Sequence, residues 1–263
     1  MNILVVGTGN VANYFTRKFK TNERLKIWNW GRNLMNARNM SSLYDTCGIF
    51  DPNQDKLTFD LILIAVADKA IKEVSKRFDG KAELIVHTAG AVAMQELDLR
   101  LSKKGVFYPL QSISAKGDVI YQEFYCLIEA DLEENTTLLA GIAKSVALLP
   151  KRMSSIERLQ VHLAAVLVNN FTNHLFTLAY DYLRDKSLKP EILFPLIQET
   201  AAKLKKKGPF DVQTGPARRD DESTIKLHKE LIINDERLLQ FYQLFTQSIQ
   251  NTYQDVQNQT SSD

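Results

Sequence analysis

The chain has 263 residues, of which 44% are hydrophobic and 24% charged, the balance of a globular protein with room for one large domain or two ordinary ones. Its formal net charge of +2 is too small to argue for nucleic acid or an anionic membrane as a partner. Its longest uncharged apolar runs, Leu61–Ala67 and Leu163–Val168, fall well short of the roughly 20 residues that cross a bilayer. The first residues lead straight into a strand, with no basic leader segment. Cys47 and Cys126 are the two cysteines, in neither a metal nor a disulfide spacing, so a cytoplasmic protein with no metal site and two buried thiols is expected.

In chain order, Asn2–Val6 is a short apolar strand that enters Gly7-Thr8-Gly9-Asn10-Val11-Ala12 and then a helix over Asn13–Phe19. This is a G-x-G-x-x-A turn in the strand-to-helix context the motif requires. Gly7 serves the tight turn, Gly9 lets backbone approach a pyrophosphate, and Ala12 lets helix and strand pack closely. The helix start adds free N–H groups and a positive dipole end. Gly7, Thr8, Gly9, Asn10 and Val11 are therefore candidate cofactor contacts; a purely structural glycine turn is the competing reading.

The second strand is expected over Leu25–Trp30. No acid follows between Ile27 and Asn33, where an NAD site usually places one on the ribose. Arg32 stands there instead, with Asn33 and Asn29 nearby, and a guanidinium fork suits a 2′-phosphate. The cofactor read from this is NADP. A helix over Asn33–Tyr44, a short strand near Cys47–Phe50 and an Asp51–Gln54 turn follow. Phe59–Val66 reads as a strand buried on both faces. Its end, Ala65, Val66 and Asp68, lies where ligands meet open α/β sheets, although Asp68 reads equally as the N-cap of a helix from Lys69. Glu83–Val86 is the next strand, and the small loop after it, with Thr88, Ala89 and Gly90, could lie along a nicotinamide. Strands over Gly105–Tyr108 and Phe124–Ala130 and a helix over Glu133–Leu148 complete a doubly wound Rossmann-type parallel sheet over residues 1–150.

Past Pro150 strand signals stop and helical ones take over: Ser154–Arg184, Pro190–Lys207, Asp220–Ile232 and Asp235–Tyr253. An all-helical domain is expected over 151–253, with a boundary near Leu149–Met153 and a disordered tail over 254–263. At roughly 100° per residue, His162, Asn169 and Asn173 fall within about 40° of one another, with Asn170 and His174 further round. Leu163, Leu167, Val168, Phe171, Leu175 and Leu178 cover the opposite side, so the helix is expected to be buried. A polar row on a buried helix marks a cleft or a subunit interface, or else a set of satisfied core amides. Gln213–Asp220 is a glycine–proline turn in which Thr214 could bind substrate and Arg218 or Arg219 a carboxylate, with Asp220 as the following N-cap; an ordinary connecting loop is as good a reading. Lys203 and Lys205–Lys207 read as a solvated helix end.

With GTGNVA, HTAGA, GVFYPLQS, HLAAVLVNNFTNHL and QTGPARRD in view, the chain resembles, over nearly its whole length, a family of Rossmann-like NADP oxidoreductases with a helical C-terminal domain of unassigned function. Their layout is similar to pyrroline-5-carboxylate reductase, deazaflavin-dependent NADP oxidoreductases and proteins with a 6-phosphogluconate-dehydrogenase-like C-terminal domain. That resemblance implies a homodimer formed through the helical domain and a site between domains, with His162, Asn169, Asn170, Asn173, His174 and Thr214 toward the cleft or the partner. The lysine that β-hydroxyacid dehydrogenases carry one turn before an asparagine is absent, since Ala165 and Val166 stand there. The function expected is therefore NADP-dependent hydride transfer to a small C=O or C=N substrate. His162 or His174 is the expected general acid, histidine being the side chain that ordinarily titrates near neutrality. A non-catalytic NADP-binding sensor or interaction protein is the alternative.

Overall fold

The structure is a computed structural model and describes residues 1–114 and 123–260. Strand β1 (Asn2–Val6) leads to α1 (Asn10–Lys20), β2 (Lys26–Trp30), α2 (Leu34–Leu43), β3 (Gly48–Ile49), β4 (Phe59–Ile64), α3 (Ile71–Phe78), β5 (Ala82–His87), β6 (Lys103–Pro109), β7 (Tyr125–Ala130), α4 (Glu133–Ser145) and β8 (Leu149–Arg152). These strands form one sheet in the order β3-β2-β1-β4-β5-β6-β7-β8. The first six are mutually parallel, which is the 3-2-1-4-5-6 order of a dinucleotide-binding sheet.

Two features depart from the sequence reading. Strand β7 runs antiparallel to β6, and β8 is parallel to β7, so the sheet is not parallel throughout. Strand β8 also occupies the stretch read as a domain boundary. Pro150 is tolerated there because β8 is an edge strand, pairing only with β7, and its missing N–H can face away from the ladder.

Side-chain alternation along each strand builds two cores. Ile3, Val5, Leu61, Leu63, Leu84 and Val86 join Phe15, Phe19, Phe107, Leu139 and Ile142 on one face. Leu4, Val6, Ile62, Ile64 and Ile85 join Trp30, Phe50, Phe59 and Phe78 on the other. Cys126 is buried in the first core, as expected, but Cys47 is exposed.

Ser154 caps α5 (Ser155–Ala165) in a reciprocal capping box with Glu157. The chain continues through a π-helical stretch, Val166–Phe171, into α6 (Thr172–Asp185). A π-helix closes i→i+5 bonds, so the even angular spacing used to align His162 with Asn169 and Asn173 fails from Val166 onward. Leu163, Leu167, Val168 and Phe171 are exposed in this chain, against the expectation of a buried helix.

The chain divides into two compact units, Met1–Phe171 and Thr172–Asp263. Helix α5 thus belongs with the sheet, whereas the sequence reading ended the first domain at residue 150. The reason is an ion pair buried under its first turns: the Arg158 side chain is 1% exposed and meets Glu129 of β7.

The second unit holds α6, α7 (Phe194–Lys203), α8 (Pro209–Val212), α9 (Glu222–Leu231) and α10 (Glu236–Thr260). Helix α10 runs through most of the tail expected to be disordered; residues 261–263 lie outside the described set. Helix α9 is capped by Asp221, not Asp220, which takes the left-handed conformation at φ 57°. No helix among the described residues is long and apolar enough to cross a membrane.

Candidate functional site

The C-terminal ends of β1, β4, β5 and β6 lie along one edge of the parallel sheet. Gly7 sits at the end of β1 with φ +125°, and its missing Cβ would stand 2.1 Å from the Ala65 carbonyl oxygen. The Gly7 N–H also donates to the Trp30 oxygen at 2.8 Å. Gly7 is therefore fixed by the fold itself.

Gly9 differs. Its φ of −81° suits any residue, and a Cβ there would meet nothing within 4 Å. The fold does not need a glycine at Gly9, and the backbone there is open to approach. Gly9 caps α1 without a side-chain hydrogen bond, leaving first-turn N–H groups for an anion. Asn13 Nδ2 donates to the Thr8 and Gly9 oxygens at 3.1 and 3.0 Å, which fixes the loop. Asn10 reaches the Ile113 oxygen at 3.3 Å, and Val11 packs on the core. The residues present thus fit a dinucleotide diphosphate.

Beyond β2, Arg32 is exposed. Asn33 caps α2, its Oδ1 accepting from the Met35 and Asn36 N–H groups. Asn29 does not belong to this set. It is fully buried, donating to Thr16 Oγ1 at 3.0 Å and accepting from Thr46 Oγ1 at 2.9 Å. After β4, Ala65 is buried and Val66 half-buried. Asp68 opens a 3₁₀ turn whose N-cap is Ala67, so it is not the helix cap the sequence allowed; it is exposed.

After β5 the loop is tightly built. The Thr88 N–H donates to the Ile64 oxygen at 3.1 Å, and the Ala89 N–H donates to Nδ1 of His87 at 3.2 Å. His87 is fully buried, with Nε2 lacking a partner. Burial and the nearby Arg158 charge push its pKa down to about 4, so it is neutral. Gly90 lies under two rings: a Cβ would stand 2.5 Å from Nδ1 of His162 and 2.9 Å from Cζ of Tyr108. Tyr108 Oη and His162 Nδ1 are 3.1 Å apart, and the rings meet edge-on at 5.8 Å. Burial, with the Asp68 charge adding to it, raises the Tyr108 pKa, while Arg158 pulls the other way.

Behind this pair, Arg158 Nη1 donates to Glu129 at 2.5 Å and Nη2 to the Val92 oxygen at 2.5 Å. Ser155 Oγ donates to Glu129 at 2.8 Å. Sequence reasoning missed Tyr108, His87, Glu129 and Arg158. Two signals existed: Tyr108 ends a strand read as parallel, and Arg158 precedes His162 by four residues on one helix, hence on one face.

Of the expected catalytic set, only His162 joins this assembly within the first unit. Asn169 and Asn170 lie in the π-helical stretch and are exposed. Asn173, His174 and Thr214 belong to the second unit and are exposed. Asn173 lines a cavity of about 400 Å³ with Tyr180, Arg184 and Phe194, and His174 stands edge-on to Phe241 at 6.0 Å. The Arg218 guanidinium lies 4.0 Å above the Tyr253 ring, beside a cavity of about 500 Å³ that Arg219 also lines.

Comparison with known proteins agrees with this fold. Residues 124–249 match the family described as a domain of unknown function, DUF2520. No curated protein matches. A putative NADP oxidoreductase of Bacteroides fragilis is 31% identical, with 95% of this chain and 98% of that one covered and a TM-score of 0.84. A Thermotoga maritima protein is 20% identical, covering 97% and 99%, with a TM-score of 0.72. The 1-pyrroline-5-carboxylate reductase of Streptococcus pyogenes shares the fold at 13% identity, covering 95% and 98%, with a TM-score of 0.64.

Proposed function

We propose an activity from one premise: the chain belongs to the family of Rossmann-like, NADP oxidoreductase-like proteins that carry the DUF2520 domain. The activity is hydride transfer between a nicotinamide dinucleotide and a small C=O or C=N substrate. One observation carries it. The open approach at Gly9 and the Tyr108–His162 pair lie at the C-terminal edge of one parallel sheet, where such sheets bind ligands.

When bound, the nicotinamide supplies the hydride; the protein supplies binding, orientation and a proton path. The α1 N-terminus and the Gly7–Val11 loop would hold the diphosphate. Arg32, with the Nδ2 donor of Asn33, would hold a 2′-phosphate, which makes NADP the preferred cofactor. Thr88, Ala89 and Gly90 would line the nicotinamide end, and His162 would face it. A second copy of the chain would cover Leu163, Leu167, Val168 and Phe171, whose exposure in one chain is the kind of apolar patch an interface covers.

Calorimetric titration with NADPH and NADH tests the cofactor reading. Tight NADPH and weak NADH binding is expected; binding of neither overturns it. NADPH binding with no turnover on any carbonyl or imine would favour a sensor. Light scattering during gel filtration tests the dimer, and a monomer would overturn that part.

A further inference from the structure

The Tyr108–His162 pair has more chemistry in it than a lone general acid. We propose that Tyr108 delivers the proton to a substrate oxygen, that His162 replenishes it through Nδ1, and that the substrate is therefore a ketone or aldehyde reduced to an alcohol. This rests on the oxidoreductase reading above and deepens it. An imine can arrive already protonated and needs no such relay; a carbonyl oxygen that gains negative charge does.

The geometry supports the order of transfer. Tyr108 is the next-to-last residue of β6, at the C-terminal edge of the sheet, and its Oη lies 3.1 Å from His162 Nδ1. Gly90 leaves no space between loop and rings, so the two side chains are held against each other by backbone. Burial and Asp68 favour the neutral phenol, so Tyr108 starts as a donor. Arg158, buried and paired with Glu129, places a fixed positive charge behind it, where it steadies the phenolate formed as the proton leaves.

The step balances. Hydride adds to the carbonyl carbon, the C=O π bond breaks, and its electron pair goes to oxygen. That oxygen takes the proton from Tyr108 Oη. The phenolate takes the Nδ1 proton of a protonated His162, leaving a neutral ring that water reprotonates once product leaves. Among the described residues, the charged and titratable groups facing Tyr108 are Arg158 from α5, Asp68 from the turn after β4 and His162 itself. Arg158 also bears on His87 of β5.

The test begins without turnover. In ¹⁵N-histidine spectra of the whole protein at high pH, the wild-type His162 ring should show Nδ1 as a hydrogen-bond acceptor and Nε2 protonated. Tyr108→Phe should move the Nδ1 shift to that of a ring nitrogen that accepts no hydrogen bond. An unchanged Nδ1 shift in Tyr108→Phe would overturn the relay whatever the activity. NADPH affinity of the wild type is measured alongside by calorimetry. Loss of NADPH binding by the wild type would instead sink the oxidoreductase reading beneath.

NADPH oxidation is then followed with cyclohexanone, benzaldehyde and 1-pyrroline. Wild-type protein should oxidise NADPH with a carbonyl probe. Tyr108→Phe should lower kcat by roughly 10²- to 10⁴-fold with little change in KM. His162→Gln should lower kcat as well, and an unchanged kcat would remove His162 from the relay. Turnover of 1-pyrroline alone, undiminished in Tyr108→Phe, would overturn the carbonyl assignment.

Discussion

The missing Cβ of Gly90 would stand 2.5 Å from Nδ1 of His162, so the loop after β5 and helix α5 are in contact through a position that tolerates no side chain. Gly90→Ala is expected to push His162 off Tyr108 and to cost roughly 1–3 kcal/mol, the usual range for overpacking. Urea unfolding reads the cost. Adding His162→Ala should restore part of it, because the clash partner is removed. Strictly additive losses would show that the two residues do not meet.

The two glycines of the turn should behave differently. Gly7→Ala meets the Ala65 oxygen and a φ of +125° together, so a loss of at least about 3 kcal/mol is expected from clash plus strain. Gly9→Asp places its side chain in open space and should leave the melting temperature nearly unchanged. It should abolish NADPH binding by steric block and like charge. A Gly9→Asp protein that unfolds would make Gly9 a structural residue.

Arg32 is exposed and free of the packing that commits Asn29. Arg32→Glu should weaken NADPH by roughly 10- to 100-fold, the worth of charged hydrogen bonds to a phosphate. NADH should change far less. Equal loss for both cofactors, measured by calorimetry, would remove the 2′-phosphate role.

Arg158 and Glu129 are 1% and 14% exposed at their side chains, so each holds the other's charge out of water. Arg158→Met alone should destabilise the protein by about 3–5 kcal/mol by leaving Glu129 charged and unpaired. Arg158→Met with Glu129→Leu should cost much less than the two single changes added together. A loss below about 1 kcal/mol in the single variant would mean the pair contributes little to anchoring α5.

His87 should make the fold acid-sensitive. Its folded pKa is about 4, below the ordinary value of 6.5. In that window the unfolded chain binds a proton that the folded chain refuses, so stability is full above about pH 6.5 and falls as pH drops toward 4. The integrated loss is about 3 kcal/mol. Subtracting the urea stability profile of His87→Asn from that of the wild type should isolate this slope. A flat difference would show that His87 is not held neutral.

Much of this molecule is written locally. The Gly7–Ala12 turn, the alternating apolar strands and the N-terminal order of elements are readable because each depends on neighbours a few residues away. So is the Ser154–Glu157 start of α5. The family resemblance rests on such local runs too. The π-helical stretch at Val166–Phe171 was not readable, and it invalidated the even spacing used to align Asn169 and Asn173 with His162.

What the sequence by itself determined is a Rossmann-type sheet, a G-x-G-x-x-A turn at the end of its first strand and an arginine where NAD sites usually carry an acid. Only the tertiary structure decided that Asn29 is spent on Thr16 and Thr46 in the core, that β8 joins the sheet and α5 the unit built on it, and that Tyr108, Gly90 and His162 converge. The reason is physical: periodicity specifies which face a residue takes on its own element. Which faces meet is fixed by strand order and by buried partners such as Arg158 and Glu129, which lie on different elements and leave no common pattern in the chain.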